Sequence, residues 1–557
     1  MTDELDERLR DPGFTPGLKL VSALLDRVAR GDDDIAGRAT VALGRVQSPV
    51  GAVARRAMEG MDAGERRKAL IALASRPRTD DPKLVELATE ALGDADARVR
   101  AAASRVLGKL GGEDAERALA DALGRATTDP EKAAFARALA KTGGGERARA
   151  ALAALDVNDP SLARARLIAE RMGLRGARPA GANVGAALEV ERRIVLACRR
   201  GLEPFVAEEV ESLAPRARGR ITSSEGRVEL PWSGALAQLA AVRTALRVGV
   251  TFAAPRAARE ETAAIADLLV SPDVRDVLRR MTEAPIRFRL AWADGGKRRG
   301  ATWSVAEAVR ASAAELVNDP TESDWEVVVH IDEARVAIDL FPRFEDSRFT
   351  YRGGDVPAAS HPTIAAALAR VAGVRDDDVV WDPFVGSGLE LCERARLGGF
   401  RSLVGTDVDE AALRRADANL RAAGVARVDL RREDARLARV PGLTAVITNP
   451  PMGRRVLAQT DLPALMGEVI AHAARMLEPG GRIVLLSPHP RTTEREAERA
   501  GLETTLDRRV DMGGFDAVLQ RFDKRGASGP LRSRAERGSE EPRTSPRPRG
   551  STRGNRR

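Results

Sequence analysis

Val379-Val380-Trp381-Asp382-Pro383-Phe384-Val385-Gly386-Ser387-Gly388-Leu389-Glu390-Leu391 is the stretch from which the fold of this chain is read. An apolar run stops at an acid, a turn carries two glycines, and a helical pattern continues to Gly398. That order reads as strand, tight turn and helix start. Gly386 and Gly388 have no Cβ, so the backbone can bend sharply and a ligand can approach it closely. The first N–H groups of the helix are unpaired and carry a partial positive charge, which suits a carboxylate. An ordinary βα turn would carry the same letters, so the decision rests on the segments downstream of Gly398.

Three more strand ends occur there in order. Leu403-Val404-Gly405-Thr406-Asp407 is a short apolar run ending in an acid about 20 residues beyond the turn, the spacing of a carboxylate that accepts hydrogen bonds from ribose hydroxyls. Val428-Asp429-Leu430 leads to Glu433-Asp434-Ala435, again with acids at the tip. Ala445-Val446-Ile447-Thr448 leads to Asn449-Pro450-Pro451-Met452-Gly453. Any one of these acids alone reads as a solvated loop residue; the ordered set reads as one edge of a nucleoside-binding sheet.

Together, Asp382-Pro383-Phe384-Val385-Gly386-Ser387-Gly388, Gly405-Thr406-Asp407 and Asn449-Pro450-Pro451 resemble a class I S-adenosylmethionine-dependent methyltransferase of the amino-methylating branch, and most of all the THUMP-containing RNA guanine-N2 methyltransferases. The resemblance covers roughly residues 188–523. It implies a Rossmann-like α/β domain with a seven-stranded, mostly parallel sheet, and S-adenosyl-L-methionine as cofactor. On that resemblance Asp382, Pro383, Phe384, Gly386, Ser387 and Gly388 surround the methionine half, Asp407 holds the ribose, Asp434 accepts from the adenine amine, and Val408 and Ala435 pack on the ring. Asn449 and Pro450 would accept the two hydrogens of a substrate amine, with Pro451 and Met452 completing the catalytic turn and Asn449 also near the cofactor. Met452 departs from the pattern, because the branch usually has an aromatic there to stack the target base, an interaction worth ~1–3 kcal/mol.

Composition sets outer bounds. At roughly 100–200 residues per domain, 557 residues suggest three or four units. No apolar run reaches the ~18–20 residues of a membrane span, and the acidic start Met1-Thr2-Asp3-Glu4-Leu5-Asp6-Glu7 is unlike a signal peptide. Cys198 and Cys392 are the only cysteines, which fits a reduced, cytoplasmic protein without disulfides or a zinc site. The net charge of +8 is carried by residues 524–557, where eleven Lys/Arg face three Glu. The rest of the chain is near neutral.

Ahead of the glycine turn, Leu18, Leu20, Leu24, Leu25 and Val28 make a helical stripe. A loose repeat of roughly 31 residues then begins near Asp33, Asp62, Gly93, Thr127 and Asn158. In its clearest copy a turn with Asp96 leads into an Ala-rich helix, Gly111-Gly112 ends it, and Ala115 to Leu123 forms a second helix. These units resemble HEAT-type repeats, whose stacking buries faces that one pair cannot bury alone. They are either a docking surface for RNA or protein, or a stabilising extension. Residues 174–188 read as a linker. Strands at Ile194–Ala197 and Arg227–Leu230, with helices at Gly201–Val210 and Ala235–Val248, are similar to the ferredoxin-like module that precedes THUMP domains. Helices at 261–282 and about 303–317, with strands at Ile286–Leu290, Trp325–His330 and Ala337–Leu340, are compatible with a THUMP fold.

The expected division is 1–173 HEAT-like repeats, 174–188 linker, 189–257 ferredoxin-like part, 258–345 THUMP-like domain, 346–524 methyltransferase domain and 525–557 disordered basic tail. RNA contacts are assigned to Lys297, Arg298, Arg299, Arg352, Arg454 and Arg455, each of which also reads as surface charge. Trp303 and Trp325 read as core residues, and His361 as a helix-start residue rather than a base. Arg348–Arg352, ahead of a helix from Thr363 to Val371, resembles the family's segment in which an Arg-rich strand leads to a helix beside the cofactor pocket. The function so implied is methyl transfer to guanosine N2 in RNA, tRNA before large-subunit rRNA, without metal or membrane. A DNA or protein amino-methyltransferase and an unreactive RNA-binding scaffold are the competing readings.

Overall fold

The computed structural model describes residues 2–11, 13–77, 79–155, 159–174, 180–256, 260–353, 360–452 and 462–526. The chain divides into two compact units: Met1–Ile194 with Trp232–Leu236 and Gly249–Glu345, and Val195–Pro231 with Ala237–Val248 and Asp346–Arg557.

The second unit is built on a seven-stranded sheet in the order Val428–Arg432, Ser402–Asp407, Val379–Asp382, Ala445–Thr448, Arg482–Ser487, Asp516–Lys524, Leu502–Asp511. The first five strands pair in parallel and the last two antiparallel. Alternate residues of the central strands go to opposite cores, as the two-residue strand period requires. Val380, Ile447, Val484 and Leu486 pack under the helices Pro362–Ala372 and Leu389–Leu397. Val379, Trp381, Val446, Ile483 and Leu485 pack under the helix Leu462–Met476. A sheet covered on both faces explains why these strands are continuous apolar runs. Its register lines up the carboxyl ends: Gly405 lies opposite Asp382 and Asp407 opposite Arg432.

At the other end of the sheet, Asp378 is fully buried between two buried arginines. Arg482 donates to both its oxygens at 2.7 and 2.6 Å, Arg394 donates at 2.8 Å, and the Thr444 hydroxyl at 2.8 Å. The guanidiniums also cap carbonyls of Ala372, Gly373, Arg375 and Gly399, which ties the loop after the helix Pro362–Ala372 to the loop after Leu389–Leu397. Burial acts to raise the carboxyl's pKa, but the two arginines outweigh it and hold Asp378 below the usual carboxylate range.

In the first unit, helices begin at Asp33, Ala63, Ala97, Asp129 and Pro160, beside the expected repeat starts. Asp32, Asp62, Asp81 and Asp96 cap helices with their side chains. Neighbouring repeats are tied at the repeat period: Asp81 accepts from Val50 and Gly51 at 2.6 and 2.9 Å, and Arg100 donates to Glu131 at 2.7 Å. Small residues permit the contact between helices, since a Cβ on Gly108 would lie 2.9 Å from Ala138 Cα. Further along, residues 249–255 belong to a strand paired antiparallel with Arg335–Pro342, which pairs antiparallel with Trp325–Ile331; Ile286–Trp292 runs parallel to that strand and to Leu316–Asn318. Among the described residues no helix is long and apolar enough to cross a membrane, and both cysteines are free and buried.

Several local expectations need correction. The helix expected at 261–282 is two, Glu261–Leu269 and Pro272–Met281, because Pro272 has no N–H to continue the first. The helix expected at 303–317 is Arg299–Ser312, and the three-residue strand Leu316–Asn318 after it is too short to show a period. Between 235 and 248 only Ala237–Ala240 is helical. There Glu209 takes the backbone N–H and hydroxyl of Thr244 at 2.9 and 2.7 Å, and Glu393 takes Arg243, so tertiary partners override helix propensity. Residues 348–352 form no strand: Ser347–Phe349 is a 3₁₀ turn whose Arg348 donates to the carbonyls of Val242, Ala245 and Leu246. Within the expected linker, Gly181 and Ala182 are fastened to Asp324 and Arg343, and a strand begins at Ala187. The basic tail beyond 526, the repeat start at Asn158 and residues 175–179 lie outside the described residues.

Removing one member of a buried ion pair strands the other charge, at a cost of ~3–5 kcal/mol. Asp378→Ala is expected to lower the stability of this unit by about that amount, and Asp429→Ala, whose pair with Arg431 is half exposed, by less than ~1 kcal/mol. Urea unfolding followed through hydrogen exchange of the Val379–Asp382 peptide measures both.

Candidate active site

The carboxyl edge of the sheet gathers the expected residues in one place. Asp382 ends its strand fully buried; its Oδ1 accepts from the Thr448 hydroxyl at 2.6 Å and from Phe384 N at 3.1 Å. Its Oδ2 is buried without a hydrogen-bond partner among the described residues. The turn after it is stapled to the next strand. Thr406 accepts from Trp381 Nε1 and donates to the Pro383 carbonyl, Val385 N donates to the Thr406 carbonyl, and Gly386 N donates to Asp407 Oδ2 at 3.0 Å. Gly386 sits at φ +50° and Gly388 at φ +75°, a conformation that favours glycine. A Cβ on Gly388 would also press on Ala416 at 3.1 Å, while one on Gly386 would meet only the Phe384 carbonyl, at an ordinary 3.8 Å. Ser387 is buried and its carbonyl accepts from Asn419 Nδ2 at 2.9 Å.

Asp407 Oδ1 accepts from Asp409 N at 2.9 Å, leaving each carboxylate oxygen a further acceptor direction. Val408 beside it is 65% exposed, unusual for a valine at the end of a buried sheet. Ala435 is buried; Asp434 has both oxygens engaged by Arg436, which holds its carboxyl below its ordinary pKa. Asp434 is therefore an oriented carboxylate, not an open one.

Asn449 is fixed from one side only. Its Nδ2 donates to Ser360 Oγ at 2.8 Å, and Ser360 in turn donates to Glu390. Because the serine proton goes to the carboxyl, the serine oxygen receives the amide N–H. Asn449 Oδ1 is left buried with no partner among the described residues. Pro450 is buried, Pro451 is half-buried, and Met452 packs against the core that contains Ile364 and Val385. Sequence reasoning misses Ser360 and Glu390. Ser360 lies 22 positions before Asp382 with no motif around it, and Glu390 reads as an ordinary polar residue of a first helical turn.

Burial pushes Glu390 up to about 7, its bond to Ser360 acting the other way. Burial, with the negative charge of Glu390 nearby, holds Asp382 well above the ordinary carboxylate range. Among the described residues no group of His, Cys, Asp and Glu is arranged to hold a metal ion. His361 caps the helix Pro362–Ala372, its ring accepting from Thr363 N. Tyr351 donates to Glu393, which Arg243 grips at 2.7 Å through two nitrogens, so this cluster is structural. Arg352 is half-buried, and Arg454 and Arg455 lie outside the described residues. Lys297, Arg298 and Arg299 belong to the first unit; Arg298 is held by Glu261 and Asp294 and lies over the Trp292 ring, and Arg299 opens a helix.

Residues 350–517 match the RMKL-like methyltransferase domain family UPF0020, and residues 52–140 match HEAT repeats. The chain is an S-adenosylmethionine-dependent methyltransferase. This methyltransferase is 28% identical over 327 residues to a tRNA (guanine(6)-N2)-methyltransferase of Thermus thermophilus, spanning 56% of this chain and 94% of that one. It is 31% identical over 157 residues to a tRNA (guanine(10)-N2)-dimethyltransferase of Methanothermobacter thermautotrophicus, 28% of this chain and 46% of that one. The solved structure of TrmN from Thermus thermophilus aligns with a TM-score of 0.48 at 23% identity, over 60% of this chain and 99% of that one.

The residues present fit the cofactor. An orphaned carboxylate oxygen on Asp382, a glycine turn open at Gly386, free acceptor directions on Asp407 and an exposed Val408 together offer acceptors and an apolar shelf.

A raised carboxyl pKa favours the folded state while the proton is on. The contribution of Glu390 is full below its ordinary value of 4.5 and lost as pH rises through about 7. Between about pH 5 and pH 8, Glu390→Gln is therefore expected to gain stability relative to the native chain, on the order of 3 kcal/mol. Thermal or urea melts across that range check it; parallel pH curves for the two proteins would show that Glu390 titrates normally.

Proposed function

We propose that this methyltransferase transfers a methyl group to the exocyclic N2 amine of a guanosine in RNA, with tRNA the first substrate to test. The observation that carries the site assignment is the half-fixed Asn449: its amide nitrogen is tied to Ser360, while its buried oxygen has no partner among the described residues. An unpaired buried acceptor is costly in a folded protein, so such a group is one prepared for a ligand donor. An exocyclic amine brings two N–H bonds. Asn449 Oδ1 accepts one and the Pro450 carbonyl, aimed by the rigid prolines, accepts the other. With both hydrogens held, the nitrogen lone pair is turned towards the neighbouring cofactor cleft.

In this reading Asp382 and the turn to Gly388 hold the methionine half of the cofactor, Asp407 the ribose, and Asp434 with Val408 and Ala435 the adenine. The bound cofactor supplies an electrophilic methyl carbon on a sulfonium sulfur. Orientation and exclusion of water supply the rate, since a neutral amide and a carbonyl stabilise the charge that grows on nitrogen. The amine proton leaves to water after the new C–N bond has formed, so no strong base is required. Choice of a guanosine in tRNA is supported by the two tRNA guanine-N2 relatives, of which the first is spanned over nearly its whole length. We also assign residues 189–257 and 258–345 to a ferredoxin-like and THUMP-type RNA-binding module. Strands joined by the helices Glu261–Leu269 and Arg299–Ser312 support that assignment, with Lys297 and Arg299 exposed beside them.

Labelled methyl transfer from S-adenosylmethionine to total tRNA, followed by nucleoside mass spectrometry, tests the reading. N2-methylguanosine is the expected product. Asn449→Ala is expected to lower kcat by about 10²–10³-fold, the usual loss of one preorganised polar group at a reacting centre. Ser360→Ala is expected to lower kcat about tenfold at unchanged KM for RNA, because it frees the amide to rotate. RNA labelling that survives Asn449→Ala, or a product methylated on another base, overturns the assignment.

A further inference from the structure

The repeats carry a charged surface for which the catalytic site has no use. The helices Ala97–Leu110 and Asp129–Leu139 lie side by side, Gly108 against Ala138. Arg105 and Lys109 are exposed on the first; Arg137 and Lys141 are exposed at the positions 32 residues on, along and just past the second. Residues four apart share a helix face, so the four cations form a small array, about 6 Å apart along each helix and roughly 8–10 Å between helices. Arg67, exposed on the helix Ala63–Ser75, extends it.

Three observations separate this array from an ordinary solvated face. None of the five has a side-chain or carbonyl partner among the described residues, although the repeats elsewhere pair their arginines, as with Arg30, Arg38, Arg55, Arg66 and Arg100. The like charges at i and i+4 repel, which costs stability rather than adding to it. The helices Pro82–Ala91 and Glu113–Arg125 of the same repeats mix both signs, with Lys83 paired to Glu86 and Arg117 to Asp114. Among the described residues no large apolar side chain is exposed on this face; in the repeats only Leu18 and Val41 are, both on earlier segments. A protein partner needs a buried apolar anchor, whereas a phosphate backbone needs only cations.

We propose that this face of the HEAT repeats docks the sugar–phosphate backbone of the substrate RNA, so that the repeats extend the RNA-binding surface of the enzyme. The proposal rests on the reading of the enzyme as an RNA methyltransferase. It assigns the repeats to affinity and substrate retention and gives them no part in the chemistry, and the contacts it invokes carry no base specificity.

The test uses the full chain with Arg105→Gln, Lys109→Gln, Arg137→Gln and Lys141→Gln combined, against tRNA at several salt concentrations. Each lost phosphate contact removes about 0.7–0.9 from the slope of log K against log salt. The expected result is a slope smaller by about 2–4, affinity at least about tenfold weaker, a raised KM for RNA and an unchanged kcat. Circular dichroism and calorimetric binding of S-adenosylmethionine should match the native chain. A control carrying Lys83→Gln, Arg117→Gln and Arg125→Gln should bind RNA as the native chain does. A folded quadruple variant with native affinity and salt slope overturns the proposal while leaving the methyltransferase reading intact, as does loss of an acidic protein partner with RNA binding unchanged. Absence of methyl transfer to RNA by the native chain overturns the functional reading itself, and this proposal with it.

Discussion

A parallel sheet buried on both faces leaves polar side chains two places to stand, its two ends, and the catalytic unit is arranged around that constraint. Along residues 379–381, 445–447 and 483–486 every side chain belongs to one core or the other. Functional groups therefore collect where the strands stop. At one end stands Asp378, both of its oxygens paired, between two arginines. At the other stand Asp382, Asp407, Asp434 and Asn449, none of them paired on every side except Asp434. The same strands position both, so the strength of the satisfied end holds the register on which the unsatisfied end depends.

The two ends also show how burial can be used in opposite ways. Around Asp378 the charge is matched by two guanidiniums and the carboxyl stays ionised. Around Asp382 and Glu390 no cation stands among the described residues, and burial pushes both carboxyls towards their protonated forms. A buried carboxyl without a cation destabilises the fold as pH rises. Asp382 Oδ2 and Asn449 Oδ1 are the two acceptors of this edge left without a partner among the described residues.

The sheet and its strand-end residues are legible in the sequence because each signal is local. Strand, turn and helix start occupy one stretch from Val379 to Leu391, and Asn449-Pro450-Pro451 is contiguous. The repeats are legible because their period brings Asp62, Asp96 and Thr128 to equivalent helix starts. What escapes a reading of the letters is set by distant partners. Thr244 leaves its helical pattern for Glu209, 35 residues away, and Arg348 caps carbonyls about a hundred residues back. Ser360 and Glu390 lack any motif because their role depends on meeting Asn449, 89 residues from Ser360. Asp434 has the letters of an open acceptor, yet Arg436 two positions on holds it; both residues are visible in the sequence, but the side-chain pairing is not.

The chain from Glu390 through Ser360 to Asn449 bears on how the proposed transfer would proceed without a base. An amide rotating freely would present its oxygen and its N–H₂ group to the substrate about equally, and the N–H₂ face would repel the amine hydrogens it must hold. The serine removes that choice where it donates to Glu390, because its oxygen then accepts the amide N–H. In the proposed mechanism the carboxyl would thus act on the amine through two hydrogen bonds, by deciding which end of a neutral amide faces the cleft. A nearer carboxylate would grip the amine hydrogens harder, but it would also bring a full negative charge beside a cationic cofactor and stabilise the ground state with the transition state. A neutral acceptor, oriented by a buried acid set one residue back, gains strength only as positive charge grows on the nitrogen, and that difference is what accelerates a transfer.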